Sequence, residues 1–521
     1  MIIGGGITGA GIARDAAMRG LRTVLVEQGD LAAGTSSRSS RLIHGGLRYL
    51  EHGRLRLVLE ANRERRRLLR LAPHLVRPLA FVFPLHRGDR VPLWRLAAGM
   101  WLYDLLALFR NVAPHRMLSK RALLAREPMI RERGLLGGAR YFDAQCDDAR
   151  LVLATARSAA LHGARIATYT RVENLELTDG RVTGARVVDL LGGSRGVVRA
   201  AAVVNATGPW TDRVRGLEDP HCRPVLRPTK GVHLVIPRSR LGQKEAIAFL
   251  SPIDGRVMFA LPWGDDSYVG TTDSDTGEPP ETVAADQNDV VYLLRSINAL
   301  FPNARLGTDD VRVTWAGLRP LLADGAGGPS GVSREHAILE GPAGMLTVAG
   351  GKLTTYRVMA HDAVDRVVEQ LRDRGYQVDV KHAATDQEPL LGGETAELGP
   401  FHRGALELGL NADTAEHLVR HYGTETAGIV NLAGTYRELQ RRLHPEHPAI
   451  DAEVVHAARR ELAQRVEDVL IRRIHLYYET PDRGRAAARR TAELLGRELA
   501  WPPGRIEQEA ARYMETASGL R

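Results

Sequence analysis

Residues Gly4-Gly5-Gly6-Ile7-Thr8-Gly9 form a G-x-G-x-x-G, followed by a helix-compatible stretch and the strand Arg22–Val26, which ends in Glu27. That spacing lets a strand turn tightly into a helix, so that backbone N–H groups and the positive helix end face a pyrophosphate. An acid about twenty residues further on can hold a ribose hydroxyl. Glu27 stands 23 residues after Gly4. Gly4, Gly6, Gly9 and Glu27 thus read as a dinucleotide site, which the adenosine ribose of NAD or of FAD satisfies equally well. Thr35-Ser36-Ser37-Arg38-Ser39-Ser40-Arg41 adds hydroxyls and two guanidiniums in a turn-rich segment, suited to phosphate oxygens. Two later segments repeat the strand–turn pattern: Val203-Val204-Asn205-Ala206-Thr207-Gly208-Pro209-Trp210, and Leu346–Ala349 followed by Gly350-Gly351-Lys352-Leu353-Thr354-Thr355. Three such turns spread over most of the first 375 residues suit an elongated cofactor.

Other residues could do chemistry on a bound molecule. His44 and His233 are the candidate general bases, because imidazole titrates near neutral pH. His233 lies in Lys230–Ile236, whose alternation puts His233 and Val235 on one face and Val232 and Leu234 on the other. His44 sits between the hydroxyl-rich turn and Gly45-Gly46, where it would touch a cofactor ring rather than take a proton. Arg319 precedes Pro320 amid Trp315, Leu318, Leu321 and Leu322, where a guanidinium needs an internal anion. Lys352 is one of five lysines among 71 basic residues, and it follows two glycines at a helix start, a place for phosphate or cofactor. For each of these the competing reading is structural: a packed histidine, a solvated arginine, an exposed lysine.

The elements that must position these residues fall into three blocks. At 521 residues, 44% apolar and 26% charged, the chain is globular and too long for one core, and disorder, collagen and small disulfide scaffolds are excluded. To about residue 375, short β-branched runs alternate with glycine turns and helical stretches, an α/β pattern. A joint at 376–400 carries Pro389, Gly392, Gly393 and Gly399. From 401 to 521, Glu416–Tyr422, Tyr436–Arg442, Asp451–Arg473 and Arg483–Leu495 show helical spacing with almost no strand signal, predicting an all-α domain. Only Met1-Ile2-Ile3 precede the first glycines, fewer than the five or so residues of a full strand, so the natural start is expected to lie upstream.

Cys146 and Cys222 are the only cysteines, which predicts a reducing compartment and no thiolate metal site; no metal is expected. The net charge is +9, and between Arg54 and Arg95 eleven arginines face only Glu60, Glu64 and Asp89. The longest apolar stretch, Leu96–Phe109, is about half a bilayer span and contains Asp104, so no transmembrane helix is expected, and the apolar N-terminus runs straight into the glycine motif, so no signal peptide is expected.

Six segments together carry a resemblance: TSSRSSRLIHGGLRYLEHG (35–53), DDARLVL (147–153), NATGPW (205–210), GTTD (270–273), GLRPL (317–321) and GGKLTTYR (350–357). They resemble the FAD-dependent, quinone-linked glycerol-3-phosphate dehydrogenases, within the D-amino-acid-oxidase-like flavoproteins, closely over 1–375 and more loosely beyond. The glycine motif and NATG point only to the cofactor; HGGLRYLEHG and GGKLTTYR are more particular. The resemblance implies an α/β FAD-binding Rossmann-like domain (about 1–75, 145–225 and 312–375), a mixed-sheet substrate or cap domain (about 76–144 and 226–311) and the all-α C-terminal domain. It implies noncovalent FAD held by Gly4, Gly6, Gly9, Glu27, Thr35, Ser36, Ser37, His44, Thr207, Gly208, Gly351, Lys352, Leu353 and Thr354. It implies oxidation of sn-glycerol 3-phosphate to dihydroxyacetone phosphate, with Arg48, Tyr49, Arg319, Arg334 and Lys352 on the substrate and His233, Arg319 and His44 in catalysis. Electrons would pass to a membrane quinone.

A quinone acceptor calls for a protein on the inner face of the cell membrane that touches the bilayer without crossing it. Parts of 54–109 would make that contact, with Trp94 and Trp101 among arginines at the headgroups of an anionic surface; the alternative is a solvated helix packed on the core. The competing activities are an oxygen-using glycerol-3-phosphate oxidase and another oxidase of the same fold. No nucleic-acid-binding signature is visible, so no nucleic-acid partner is expected. A homodimer stays open.

Overall fold

The computed structural model describes residues 1–323 and 335–519 and, of these, every side chain but those of Arg48, Glu51 and His52. Arg334 and the side chain of Arg48 therefore lie outside the described residues.

The nucleotide end is built on a six-stranded sheet in the order His336–Glu340, Leu346–Gly350, Val204–Asn205, Ile2–Ile3, Val24–Val26, Arg165–Ala167. Its neighbours run parallel except at the first pair. Helix Ile7–Met18 packs against helices Asp148–Leu161 and Tyr356–Asp373. Its Gly9, Ala10, Gly11, Ala13, Ala16 and Ala17 make this close approach feasible: a Cβ on Gly11 would come 2.9 Å from Tyr356 Cδ2. Buried Arg14 leaves the same helix and donates to Ser158 Oγ (2.9 Å) and to the carbonyls of Thr385 (3.2 Å) and Glu388 (2.7 Å), fastening the glycine- and proline-rich joint.

The second sheet has ten strands and is mixed, parallel only where Ala246–Leu250 meets Val76–His86. Its strand Leu226–Pro237 lies between Val313–Leu322 and Asp266–Gly270, with His233 opposite both Trp315 and Gly270. The alternation is a division between two cores: Val232, Leu234 and Ile236 pack on one side, Val235 with Trp315 and Tyr268 on the other.

That second side is covered by the C-terminal block, whose helices are Gly399–Glu407, Ala412–Tyr422, Thr426–Thr435, Asp451–Arg460, Arg485–Glu498 and Pro503–Ser518. The structure departs from the expected pattern twice. Tyr436–Arg442 is only a short 3-10 turn, Arg437–Gln440, leading into a two-stranded ribbon, Arg442–His444 with His447–Ile450. The helix expected over Asp451–Arg473 stops at Arg460, Leu462 takes a left-handed conformation (φ 59°), and the chain re-enters a π turn at Asp468–Arg473. Buried Asp468 drives this: its carboxylate accepts the N–H groups of Gln464 (2.8 Å) and Arg465 (3.0 Å) and pairs with Arg472 (2.6 Å). Arg472 and Arg473 both reach Asp30 of the nucleotide end, so they join the helical block to the rest of the chain and are not surface charges.

Residues 54–109 form helix Leu55–Leu71, strand Val76–His86 and helix Leu93–Leu106. Part of the arginine block is structural: Arg65 is buried and paired with Asp143, and Arg67 pairs with Glu64. Arg56, Arg63, Arg66 and Arg70 are exposed. In the second helix Asp104 is buried, accepting from Asn111 Nδ2 (2.6 Å) and meeting His115 Nδ1 (2.7 Å). No helix among the described residues is long and apolar enough to cross a membrane.

Candidate active site

A cavity of about 1300 Å³ runs from the glycine turn to the face of the ten-stranded sheet. At its nucleotide end Gly4, Gly6, Ile7 and Thr8 line it at the start of helix Ile7–Met18. Gly4 has φ +112°, and a Cβ there would stand 2.5 Å from the Ala206 carbonyl oxygen. Ser36 Oγ accepts the Ile7 N–H (3.0 Å), which holds the Thr35–Ser37 turn against the helix start. Glu27 lines the cavity, its carboxylate accepting the N–H groups of Gly5 (2.6 Å) and Gly29 (2.8 Å). Burial pushes its carboxyl up, and those two amides oppose the shift. A small-residue cradle, a helix N-terminus and a buried acid in register fit the pyrophosphate and ribose of a dinucleotide.

Other expected cofactor residues come to the same wall. Thr35, Thr207 and Gly208 line it, as do Gly351, Lys352, Leu353 and Thr354 from the turn after strand Leu346–Gly350. His44 lines it too, its backbone N–H donating to Thr354 Oγ1 (3.3 Å). Two expected residues do not reach it. Gly9 sits inside the first helical turn, where a Cβ would be 1.9 Å from the Gly4 carbonyl oxygen, so its part is close backbone packing. Ser37 is buried behind the turn and absent from the lining. Arg41 also turns inward, away from any phosphate: it is 2% exposed, with its guanidinium 4.2 Å from the Trp263 ring, 4.9 Å from Tyr478 and 3.8 Å from Asp148.

The substrate end gathers Tyr49, His233, Arg319 and Lys352 on one cavity. Lys352 Nζ lies 3.6 Å over the Tyr49 ring, and Tyr49 stacks on His44 at 6.4 Å. Arg319 has its anion within the chain: Asp273, at 3.1 Å, with further bonds to Thr271 Oγ1 (2.9 Å) and the Thr272 carbonyl (3.1 Å). This fork is planted where Gly231 leaves space; a Cβ there would stand 2.4 Å from Arg319 Nη2. Gly270 does the same for the histidine, since a Cβ would stand 2.2 Å from His233 Cδ2.

His233 is 3% exposed, stacked on Trp315 at 4.8 Å and 16°, with Nε2 2.9 Å from Ser40 Oγ. Its Nδ1 is buried with no hydrogen-bond partner among the described residues. Burial first, then the Arg319 and Arg41 charges, hold the imidazole well below its usual range, so it is neutral at pH 7. Sequence reasoning missed Asp273, Thr271 and Ser40 as site residues, and also Arg256, which lines the cavity and donates to the Asp273 carbonyl (3.4 Å). Asp273 had a signal: a strand-end acid able to answer the guanidinium of Arg319.

Residues 1–357 match the family model "FAD dependent oxidoreductase", and residues 383–506 match "C-terminal domain of alpha-glycerophosphate oxidase". The chain is 40% identical over 525 residues to "Glycerol-3-phosphate dehydrogenase 2" of Mycobacterium bovis, covering 99% of this chain and 87% of the relative. It is 37% identical over 491 residues to the "Aerobic glycerol-3-phosphate dehydrogenase" of Staphylococcus epidermidis, covering 92% and 87%. Among solved structures it superposes on the glycerol-3-phosphate dehydrogenase of Bacillus halodurans complexed with FAD, with a TM-score of 0.83, 29% identity, and 99% and 94% of the two chains covered. The chain therefore belongs to the FAD-dependent oxidoreductases, in the family of the glycerol-3-phosphate dehydrogenases.

Proposed function

We propose that this chain oxidises sn-glycerol 3-phosphate to dihydroxyacetone phosphate with noncovalent FAD and delivers the electrons to a quinone in the membrane. The observation that carries the reading is the meeting of a neutral buried imidazole, His233, with Arg319 and Lys352 on the cavity that begins at the glycine turn. FAD bound along Gly4, Gly6, Glu27, Thr35, Ser36, Thr207, Gly208 and Gly351–Thr354 would supply the hydride acceptor. Arg319 and Lys352 would bind the phosphate dianion, the guanidinium already oriented by Asp273 and Thr271. Tyr49 and His44 would hold the carbon skeleton against the cofactor wall. His233 would take the hydroxyl proton. Arg48 and Arg334 remain part of the proposed phosphate site on the resemblance alone.

The absorbance spectrum of the purified protein tests this directly. The yellow oxidised flavin band should bleach on anaerobic addition of glycerol 3-phosphate and persist with glycerol or an amino acid. Quinone-analogue reduction should outrun peroxide formation; the reverse ratio would favour an oxidase.

Helix Leu93–Leu106 supports the membrane side of the reading. Trp94 is 73% and Trp101 62% exposed, with Leu105, Leu108, Phe109 and Val112 also exposed and Arg95, Arg110 and Arg116 beside them. The helix's other face, through Leu96 and Leu102, lines the cavity. An apolar surface with tryptophans and arginines suits a headgroup interface, on the inner leaflet in this case. Replacing Trp94 and Trp101 together by serine is expected to weaken co-flotation with anionic vesicles by about tenfold while flavin bleaching is unchanged. Wild-type protein that fails to float at low salt would refute the membrane contact.

A further inference from the structure

Asp147, His421 and His475 meet where the helical block packs on the nucleotide end, and none of the three lines the cavity. Asp147 uses Oδ1 to cap helix Asp148–Leu161, accepting the Arg150 N–H at 3.1 Å. Its Oδ2 is left facing His475 Nε2 at 2.7 Å and His421 Nε2 at 4.0 Å. One ligand atom from each residue lies within 4.8 Å of the other two.

The two rings are set in the same way. His421 Nδ1 lies 3.0 Å from the His417 carbonyl, and His475 Nδ1 lies 2.9 Å from the Ile471 carbonyl. A carbonyl can only accept, so Nδ1 donates in both rings and each Nε2 is the nitrogen offered to a ligand. This is how metal-binding imidazoles are ordinarily oriented, with the non-ligating N–H tied to a backbone oxygen.

We propose that Asp147 Oδ2, His421 Nε2 and His475 Nε2 form a divalent-cation site, for Zn²⁺ or a similar first-row ion, which staples the C-terminal block to the nucleotide end. Two imidazoles and a carboxylate are a zinc-type donor set, water completing the tetrahedron. Bonds of about 2.0–2.2 Å put tetrahedral ligands roughly 3.3–3.6 Å apart, so the Asp147–His475 separation must open and the Asp147–His421 separation close by less than about 1 Å each, while the two Nε2 atoms start within 4.8 Å of each other. Of the nearby guanidiniums, Arg150 pairs with Glu461 at 2.7 Å and Arg41 with Asp148 at 3.8 Å. Without the ion, Asp147 Oδ2 pairs with His475 Nε2, and the cation would take the place of that contact. His421, with 14% of its side chain exposed, supplies a way in.

The experiment uses the full FAD-loaded chain, stripped with a chelator and then offered Zn²⁺ or Co²⁺. About one Zn²⁺ per chain should survive desalting and raise Tm, and Co²⁺ should give ligand-field bands beyond the flavin absorbance that Zn²⁺ abolishes. His421→Gln should cut retained metal by about tenfold or more while leaving FAD content and the metal-free Tm unchanged, since His421 makes no short bond to Asp147. His475→Gln should do the same to the metal; if that variant fails to fold, His421→Gln decides alone. Wild-type protein that retains no metal, or metal retained equally by His421→Gln, would overturn the site and leave Asp147–His475 as a plain buried ion pair.

Discussion

Replacing His233 by asparagine is expected to lower kcat by about 10²–10⁴-fold with FAD content unchanged, the range by which a positioned proton acceptor accelerates such a step. Asparagine keeps an amide near Ser40 Oγ and fills much of the ring's space beside Trp315, so the loss would report the missing base and not a collapsed wall. The pH profile makes the assignment sharper. Burial and the charges of Arg319 and Arg41 depress the imidazole, so the neutral base persists below the ordinary imidazole pKa of about 6.5. At saturating substrate, kcat should stay flat as pH falls through 6.5; a break there would assign the base to an unperturbed group. Gly270→Ala should reduce kcat in the same direction, because the new Cβ would displace the ring from its seat. Stability carries the same sign. Below pH 6.5 the unfolded chain takes up protons on His74 and His233 that the folded chain refuses, His74 having been lowered to about 3, so the stability these two groups contribute falls as the solution is acidified from 6.5.

The legible parts of this molecule are those in which neighbours along the chain do the work. The turn from Ile3 into helix Ile7–Met18 needs glycine at Gly4 for its positive φ and at Gly9 for close approach to the Gly4 carbonyl, both local, and Glu27 follows one short strand later. The two-sided burial of Val232–Ile236 follows from period two alone. What the sequence withholds is pairing across distance. Nothing near Arg319 says that Asp273, 46 residues earlier, holds it, or that Gly231 and Gly270 are glycines to make room for two side chains from elsewhere. Arg41 sits among phosphate-like hydroxyls in sequence, yet two tryptophans and a tyrosine from three separate segments bury it. Asp30 lies 442 residues before Arg472, and that pair ties the segment after the broken helix to the nucleotide end.

Arg319 is where these long-range contacts bear most directly on activity. Arg319→Met is expected to lower kcat/KM by about 10²–10³-fold, a loss of some 3–4 kcal/mol of binding to a dianion at 1.36 kcal/mol per tenfold. It also takes one partner from Asp273, whose side chain is 5% exposed; removing one partner of a buried pair costs about 3–5 kcal/mol, and less in this case because the Arg319 side chain is 20% exposed. Arg319→Lys separates the two effects. Lysine keeps a charge for Asp273 but loses the fork that spans Asp273, Thr271 Oγ1 and the Thr272 carbonyl, so Tm should recover while KM for glycerol 3-phosphate stays raised. Asp273→Asn alone should raise KM through a misaimed guanidinium, and its combination with Arg319→Met should cost less than the sum of the two, as expected for residues acting as one unit. FAD content should be unaffected throughout, because the described contacts of Arg319 are to the sheet that carries His233 and to the turn after Gly270. An Arg319→Lys protein with wild-type KM would remove this residue from the phosphate site and leave it a structural clamp on Asp273.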